Sequence, residues 1–142
     1  MREIKPGLAG ESGQIVTEEL TADSFGSGLV SAFATPAMIA LMENASVNAI
    51  REYLQVGQTS VGVEVNVKHL AATPVGMRVR ARAEVVSVDK RRITFQVEAW
   101  DDKERIGEGT HVRAIVDEAR FKERTAQKRA DQRAAAIRPD RS

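Results

Sequence analysis

Residues 33–70 read FATPAMIALMENASVNAIREYLQVGQTSVGVEVNVKHL, and two different periods divide the stretch. In the first half apolar side chains recur at Met38, Leu41, Met42, Ala45, Ala49 and Tyr53, which predicts one helix from Pro36 to Leu54 with a stripe built for burial. Pro36 suits a first turn because its missing N–H would be unpaired there, Thr35 is the candidate N-cap, and Gly57 follows the end. The second half alternates, with Val61, Val63, Val65, Val67 and His69 on one face and Gly62, Glu64, Asn66 and Lys68 on the other. A helix with a greasy stripe followed by a strand with a valine face predicts a helix laid on a sheet, with His69 pointing toward the helix.

Outward from this stretch the chain supplies the rest of the sheet. Met77–Val88 alternates Met77, Val79, Ala81, Ala83 and Val85 against Arg78, Arg80, Arg82 and Glu84, then shifts parity to Val86 and Val88, which predicts a bulge near Val85. A turn at Asp89–Arg92 leads to Ile93, Phe95, Val97 and Ala99, and a turn at Asp101–Glu104 leads to a last strand over Arg105–Val116. These strands on short turns make an antiparallel meander. Upstream, Pro6, Gly7, Gly10 and Gly13 predict an irregular arm over residues 1–13, and Gln14–Leu20 a short strand. Gly26, Ser27 and Gly28 break any period before the helix and predict a flexible loop. The division is an arm over 1–13, one α+β domain over 14–117, and a basic helix and tail over 118–142. Only the helix at Pro36–Leu54 is apolar enough to cover the sheet, so the sheet should curl around it. Trp100, on the opposite face, is a candidate contact between subunits, and unpaired sheet edges favour edge-to-edge dimerisation.

With 142 residues, 42% of them hydrophobic, the chain suits a single core. The net charge of +1 makes no case for nucleic acid. Residues 118–142 nevertheless hold 8 Lys and Arg against 4 Asp and Glu, a basic helix open to phosphates or simply to water. No cysteine is present, which excludes disulfides and thiolate chemistry. No apolar run suggests a membrane span, and MREIKPGLAGESG lacks the apolar segment of a signal peptide, so the expectation is a cytoplasmic protein without a membrane partner.

Three side chains invite chemistry. Glu43 sits beside Leu41, Met42 and Ala45, where a carboxylate is expensive to bury unless hydrogen-bonded; it is either functional or on the wet side of the helix. An inward His69 is either a core residue or a proton carrier, and Thr35 is a cap or a reactive hydroxyl. Together they suggest a hydroxyl, a carboxylate and an imidazole converging at one end of the core. Gly62 inside a valine strand marks a kink or a close approach, with an N–H available to an oxyanion. His111 and Arg113 share a face of the last strand, as surface residues or with Arg113 holding a carboxylate or phosphate. Two distant histidines do not make a metal site.

The run FATPAMIALMENAS, together with VGVEVNVKHLAATPVGM and IGEGTHVRAIV, resembles the hotdog-fold thioesterases, and among them the fluoroacetyl-coenzyme A thioesterase subfamily. That resemblance, over Phe33–Phe121, implies a hotdog fold, an antiparallel sheet wrapped around one central helix, with an extra C-terminal helix here. It implies a homodimer, a tetramer being left open, that hydrolyses a short or small acyl-CoA thioester near the subunit interface without a cofactor. It assigns catalysis to Thr35, Glu43 and His69 and substrate binding to Gly62 and Arg113. The link from Val16 to Thr35 is shorter than the family's lid, and Gly26 and Leu29 stand where that lid carries aromatics. The rival readings are an acyl-CoA binding or sensing protein without turnover, and an enoyl-CoA hydratase on the same fold.

Overall fold

Five strands hydrogen-bond in the order β1-β3-β4-β5-β2: β1 (Ala9–Ile15), β2 (Gln58–His69), β3 (Arg78–Asp89), β4 (Arg92–Asp101) and β5 (Arg105–Asp117). They belong to a computed structural model that describes residues 3–136. All neighbours are antiparallel, and among the described residues three α-helices join them: α1 (Ala22–Phe25), α2 (Thr35–Ile50) and α3 (Glu118–Ala136).

The core forms where α2 meets the inner face of the sheet. Met38, Leu41, Met42, Ala45, Ala49 and Ile50 pack against Val79, Ala81, Ala83 and Val85 of β3 and Ile93, Phe95, Val97 and Ala99 of β4. Alternation along β3 and β4 is thus as expected, and the fully buried Phe95 and Met38 contribute about 2 kcal/mol each. The helix stops at Ile50 and its last turn, Arg51–Tyr53, tightens to a 3-10 turn. That pitch carries Tyr53 off the buried stripe, where it is only half-buried.

Three local expectations are corrected. The N-terminal strand is Ala9–Ile15, five residues ahead of the one expected at Gln14–Leu20, and it runs through most of the supposed arm, pairing from Ala9↔Glu84 to Ile15↔Arg78. Gly10 serves as space there: a Cβ on it would overlap Ala45 O and Ala49 N of α2. The Ser12 hydroxyl donates to Leu41 O at 2.7 Å and Asn48 Nδ2 to Glu11 O at 2.8 Å, tying β1 to the helix. Second, β2 shifts register between Gly62 and Glu64, so its valine alternation is not continuous. Gly62 faces α2 on one side of the bulge, and Val67 and His69 face it on the other. Third, the β3 bulge lies between Val85 and Ser87 as expected, yet Val86 and Val88 stay exposed.

Arg80 lies 4.7 Å over the Trp100 ring within the same chain. α3 follows β5 directly, Asp117 Oδ1 accepting the Arg120 N–H, and buries none of its side chains, as expected of a solvated helix. Ile137 and the RPDRS tail lie outside the described residues. Among the described residues no helix is long and apolar enough to cross a membrane.

Candidate active site

The first residue of α2, Thr35, does not cap its helix. Ala34 holds the N-cap position without a side-chain bond, and Thr35 Oγ1 lies 2.8 Å from His69 Nδ1 instead. The end of β2 delivers the imidazole, whose Nε2 is buried and has no hydrogen-bond partner among the described residues. Burial pushes the His69 pKa below the ordinary histidine value, with the Ala71 backbone working the other way, so the ring is neutral at pH 7. Thr35 and His69 border a cavity of about 350 Å³ lined also by Ala22, Phe33, Leu70 and Ala71.

Glu43 belongs to a second cluster. Its Oε2 accepts from Arg113 Nη1 at 3.3 Å and lies 3.9 Å from His111 Nε2, while the side chain remains 39% exposed. Arg113 is buried and held on every side: Nε donates to Ser60 Oγ at 2.9 Å, Nη2 to Ser60 O at 3.0 Å, and Nη1 to His111 Nε2 at 3.1 Å. His111 Nδ1 donates to Glu64 O at 2.8 Å, which sets the tautomer: Nε2 carries the lone pair that Arg113 meets. Burial chiefly, and Arg113 with it, lower the His111 pKa against the Glu64 carbonyl and Glu43. Gly62 completes the cluster by bareness, since a Cβ there would fall 2.6 Å from Glu43 Oε2 and 3.2 Å from His111 Cε1.

Thr35 meets His69, and Glu43 meets Arg113 and Gly62, but the two groups do not merge within one chain. Eight residues of helix separate Thr35 from Glu43, an axial rise of about 12 Å. Convergence of all three at one end of the core is therefore corrected to two clusters at two heights of α2. The sequence placed His111 beside Arg113 on one face of the last strand, as surface residues or with Arg113 as the binding group; the structure buries both on the inward face of β5 and gives His111 a part in the cluster. Ser60 was passed over, because a serine holding an arginine through its carbonyl looks like any other strand serine.

The sequence profile of the fluoroacetyl-CoA-specific thioesterase family (FlK) matches residues 16–119, most of the chain. The chain belongs to that family. It is 44% identical over 96 residues to the fluoroacetyl-CoA thioesterase of Streptantibioticus cattleyicolor, covering 68% of this chain and 69% of that one. A solved structure of the fluoroacetyl-CoA thioesterase FlK superposes with a TM-score of 0.85 at 34% identity, over 89% of this chain and 98% of the other. TTHA0967 of Thermus thermophilus, a thioesterase superfamily member, gives 0.83 at 29% identity over 96% and 99%. A hot-dog-like protein of Thermanaerovibrio acidaminovorans, at 22% identity and a TM-score of 0.79 over 87% and 91%, shares the fold. The fold is thus the hotdog of this family, with α2 as the wrapped helix and α3 as an addition at the C-terminus.

His111 gives this family member an acid sensitivity of known sign. Below about pH 6.5 the unfolded chain protonates His111 while the folded chain resists, so stability should fall as pH drops, by up to about 1.4 kcal/mol per pH unit for the proton withheld. Urea melts between pH 7.5 and 5 measure the slope. His111→Gln, which keeps a donor toward Glu64 O, should flatten it; an unchanged slope would remove His111 from the account.

Proposed function

We propose that two copies of this chain pair along β2 and hydrolyse a small acyl-CoA thioester, with Thr35 and His69 of one subunit working against Glu43 of the other. Family membership carries the reaction class, thioester hydrolysis of an acyl-CoA. The observation that carries the arrangement is the division of the chemistry within one chain: Thr35 Oγ1 is engaged with His69 Nδ1 at one height of α2, and Glu43 with Arg113 and Gly62 at another. A nucleophile hydrogen-bonded to a base needs a third group on the base's far nitrogen. Within the chain the carboxylate is about two helical turns away. β2 is a free edge with Val63 and Val65 exposed at its middle. A two-fold axis between Val65 and Asn66 would set His69 across from Gly62 of the partner subunit, and so beside that subunit's carboxylate cluster.

In this reading Thr35 Oγ gives its proton to His69 Nδ1 and attacks the thioester carbonyl carbon. The bulge after Gly62 is the source of a backbone N–H for the oxyanion. The C–S bond then breaks, the CoA sulfur takes the proton from His69, and water cleaves the acyl-Thr35 ester by the same route. The imidazole, whose Nε2 is covered in the single chain, turns that nitrogen outward as the subunits pair; Glu43 then accepts from Nε2–H and balances the imidazolium, and Arg113, fixed by Ser60 and His111, positions Glu43. The small cavity beside Thr35 suits a short acyl group, with Phe25, Leu29 and Val30 exposed on the segment above it. Since CoA thioesters are intracellular metabolites, the proposed compartment is the cytoplasm.

Thiol release from a panel of acyl-CoAs tests the reaction: short chains should turn over and long ones should not. CoA binding without thiol release from any of them would overturn hydrolysis in favour of a sensing role. The shared site is tested in the same assay. Thr35→Ala and Glu43→Gln chains, each inactive alone, should recover roughly a quarter of wild-type activity when randomly paired, because half the dimers then hold one complete site. No recovery would confine each site to one chain.

A further inference from the structure

At the far end of β5, where α3 begins, a second cavity of about 590 Å³ is lined by Arg91, Ile115, Asp117, Arg120, Phe121 and Arg124. Arg120 and Phe121 each lie about one turn from Arg124 on α3, opposite Arg91 in the turn between β3 and β4. Among the described residues none of the three guanidinium groups has an ion-pair or side-chain hydrogen-bond partner, although arginines elsewhere on the surface, such as Arg82 and Arg105, are paired with glutamates. Asp117, which lines the same cavity, accepts the Arg120 N–H at the start of α3, leaving three positive charges against one negative. Phe121 is 42% exposed beside them and lines the same cavity. Three unpaired planar cations and an exposed aromatic ring in one concavity fit a ligand with more than one phosphate and a flat base.

The place of the cavity narrows the ligand. Ile115 and Asp117 continue β5 from Arg113, four residues and about 13 Å beyond the carboxylate cluster. A pantetheine arm, with its two amides and short alkyl spacers, has about the length of four extended residues. We propose that this groove binds the 3′-phosphorylated ADP end of CoA, Arg91, Arg120 and Arg124 holding its phosphates and Phe121 stacking its adenine, on the subunit that supplies Glu43. The proposal rests on the acyl-CoA reading above, and it explains a basic helix that buries nothing: α3 is there for the nucleotide, not for the core.

Calorimetric titration of CoA, dephospho-CoA and pantetheine into the intact protein tests it without any turnover. The wild type should bind CoA at least tenfold more tightly than dephospho-CoA or pantetheine, with an affinity that weakens as salt is raised. In the triple variant Arg91→Gln, Arg120→Gln, Arg124→Gln, CoA affinity should fall at least tenfold and its advantage over pantetheine should vanish. In kinetics, the ratio of KM for acyl-pantetheine to KM for acyl-CoA should collapse in parallel. The exposed arginines make no contribution to the core, so the variant folds. CoA bound equally by variant and wild type, or no more tightly than pantetheine by the wild type, would overturn the groove while leaving hydrolysis intact. CoA bound through the arginines with no acyl-CoA hydrolysed would retain the groove and overturn hydrolysis.

Discussion

Glu43→Gln should lower the turnover of short acyl-CoAs by two orders of magnitude or more, on the order of 3 kcal/mol of barrier. Glutamine has nearly the shape of glutamate, and its amide oxygen can still accept from Arg113 Nη1, where the carboxylate sits at 3.3 Å. What it lacks is charge. In the proposed cycle His69 becomes an imidazolium while an oxyanion forms nearby, and a negative group on Nε2 stabilises that cation only as it appears. The loss should therefore fall on kcat, with CoA affinity held. His69→Ala should cost as much, and the double variant little more, because members of one proton path do not contribute additively. Single-turnover and steady-state thiol release measure each of these. Activity within tenfold of wild type in the Glu43→Gln protein would remove Glu43 from the chemistry.

The largest effect on stability should come from a glycine far from any reacting atom. Gly10→Val pushes a side chain into Ala45 O and Ala49 N of α2, backbone atoms that cannot step aside by changing rotamer. β1 must leave the helix or the helix must leave the sheet, and either opens the contact among Ala45, Ala49 and Ala83 that Gly10 makes possible. A cost of about 3 kcal/mol or more follows, which lowers Tm by roughly 10 °C in a domain of this size. Gly13→Ala is the matched control. Its Cβ would come no closer than 3.4 Å to Val79 O, and its effect should stay within about 0.5 kcal/mol. Equal melting of the two variants would mean that β1 is not held against α2 as described.

Gly10 also marks the boundary between what the sequence could and could not reveal. Periods of two and of 3.6 survive in the sequence because burial on a strand or helix face repeats locally, so Val79–Val85, Ile93–Ala99 and the stripe from Met38 to Ala49 were legible, and the one apolar helix had to lie on the one apolar sheet face. Glycines have no such period. Gly7, Gly10 and Gly13 read as an irregular arm, because the partner that needs a hydrogen at Gly10, the α2 backbone, is about 35 residues away in sequence. The β2 bulge was hidden for the same reason: alternation predicts a face only while register holds, and register is decided by the neighbouring strand. Past the bulge parity reverses, bringing Gly62 round to Glu43.

The candidate site divides in the same way. Glu43 in a greasy helix, His69 ending a valine strand and Gly62 within it were visible as residues out of keeping with their surroundings. Thr35 looked like a cap, and only its 2.8 Å approach to His69 Nδ1 shows which partner the hydroxyl has. Ser60, His111 and Arg113 became one brace only when β2 and β5 paired, and the distance between Thr35 and Glu43 became a separation only when the helix was straight. The sequence by itself determined which faces are dry and which residues are chemically out of place. Tertiary structure alone decided which of those residues meet, because meeting depends on strand register and helix length, and neither is written within any single segment.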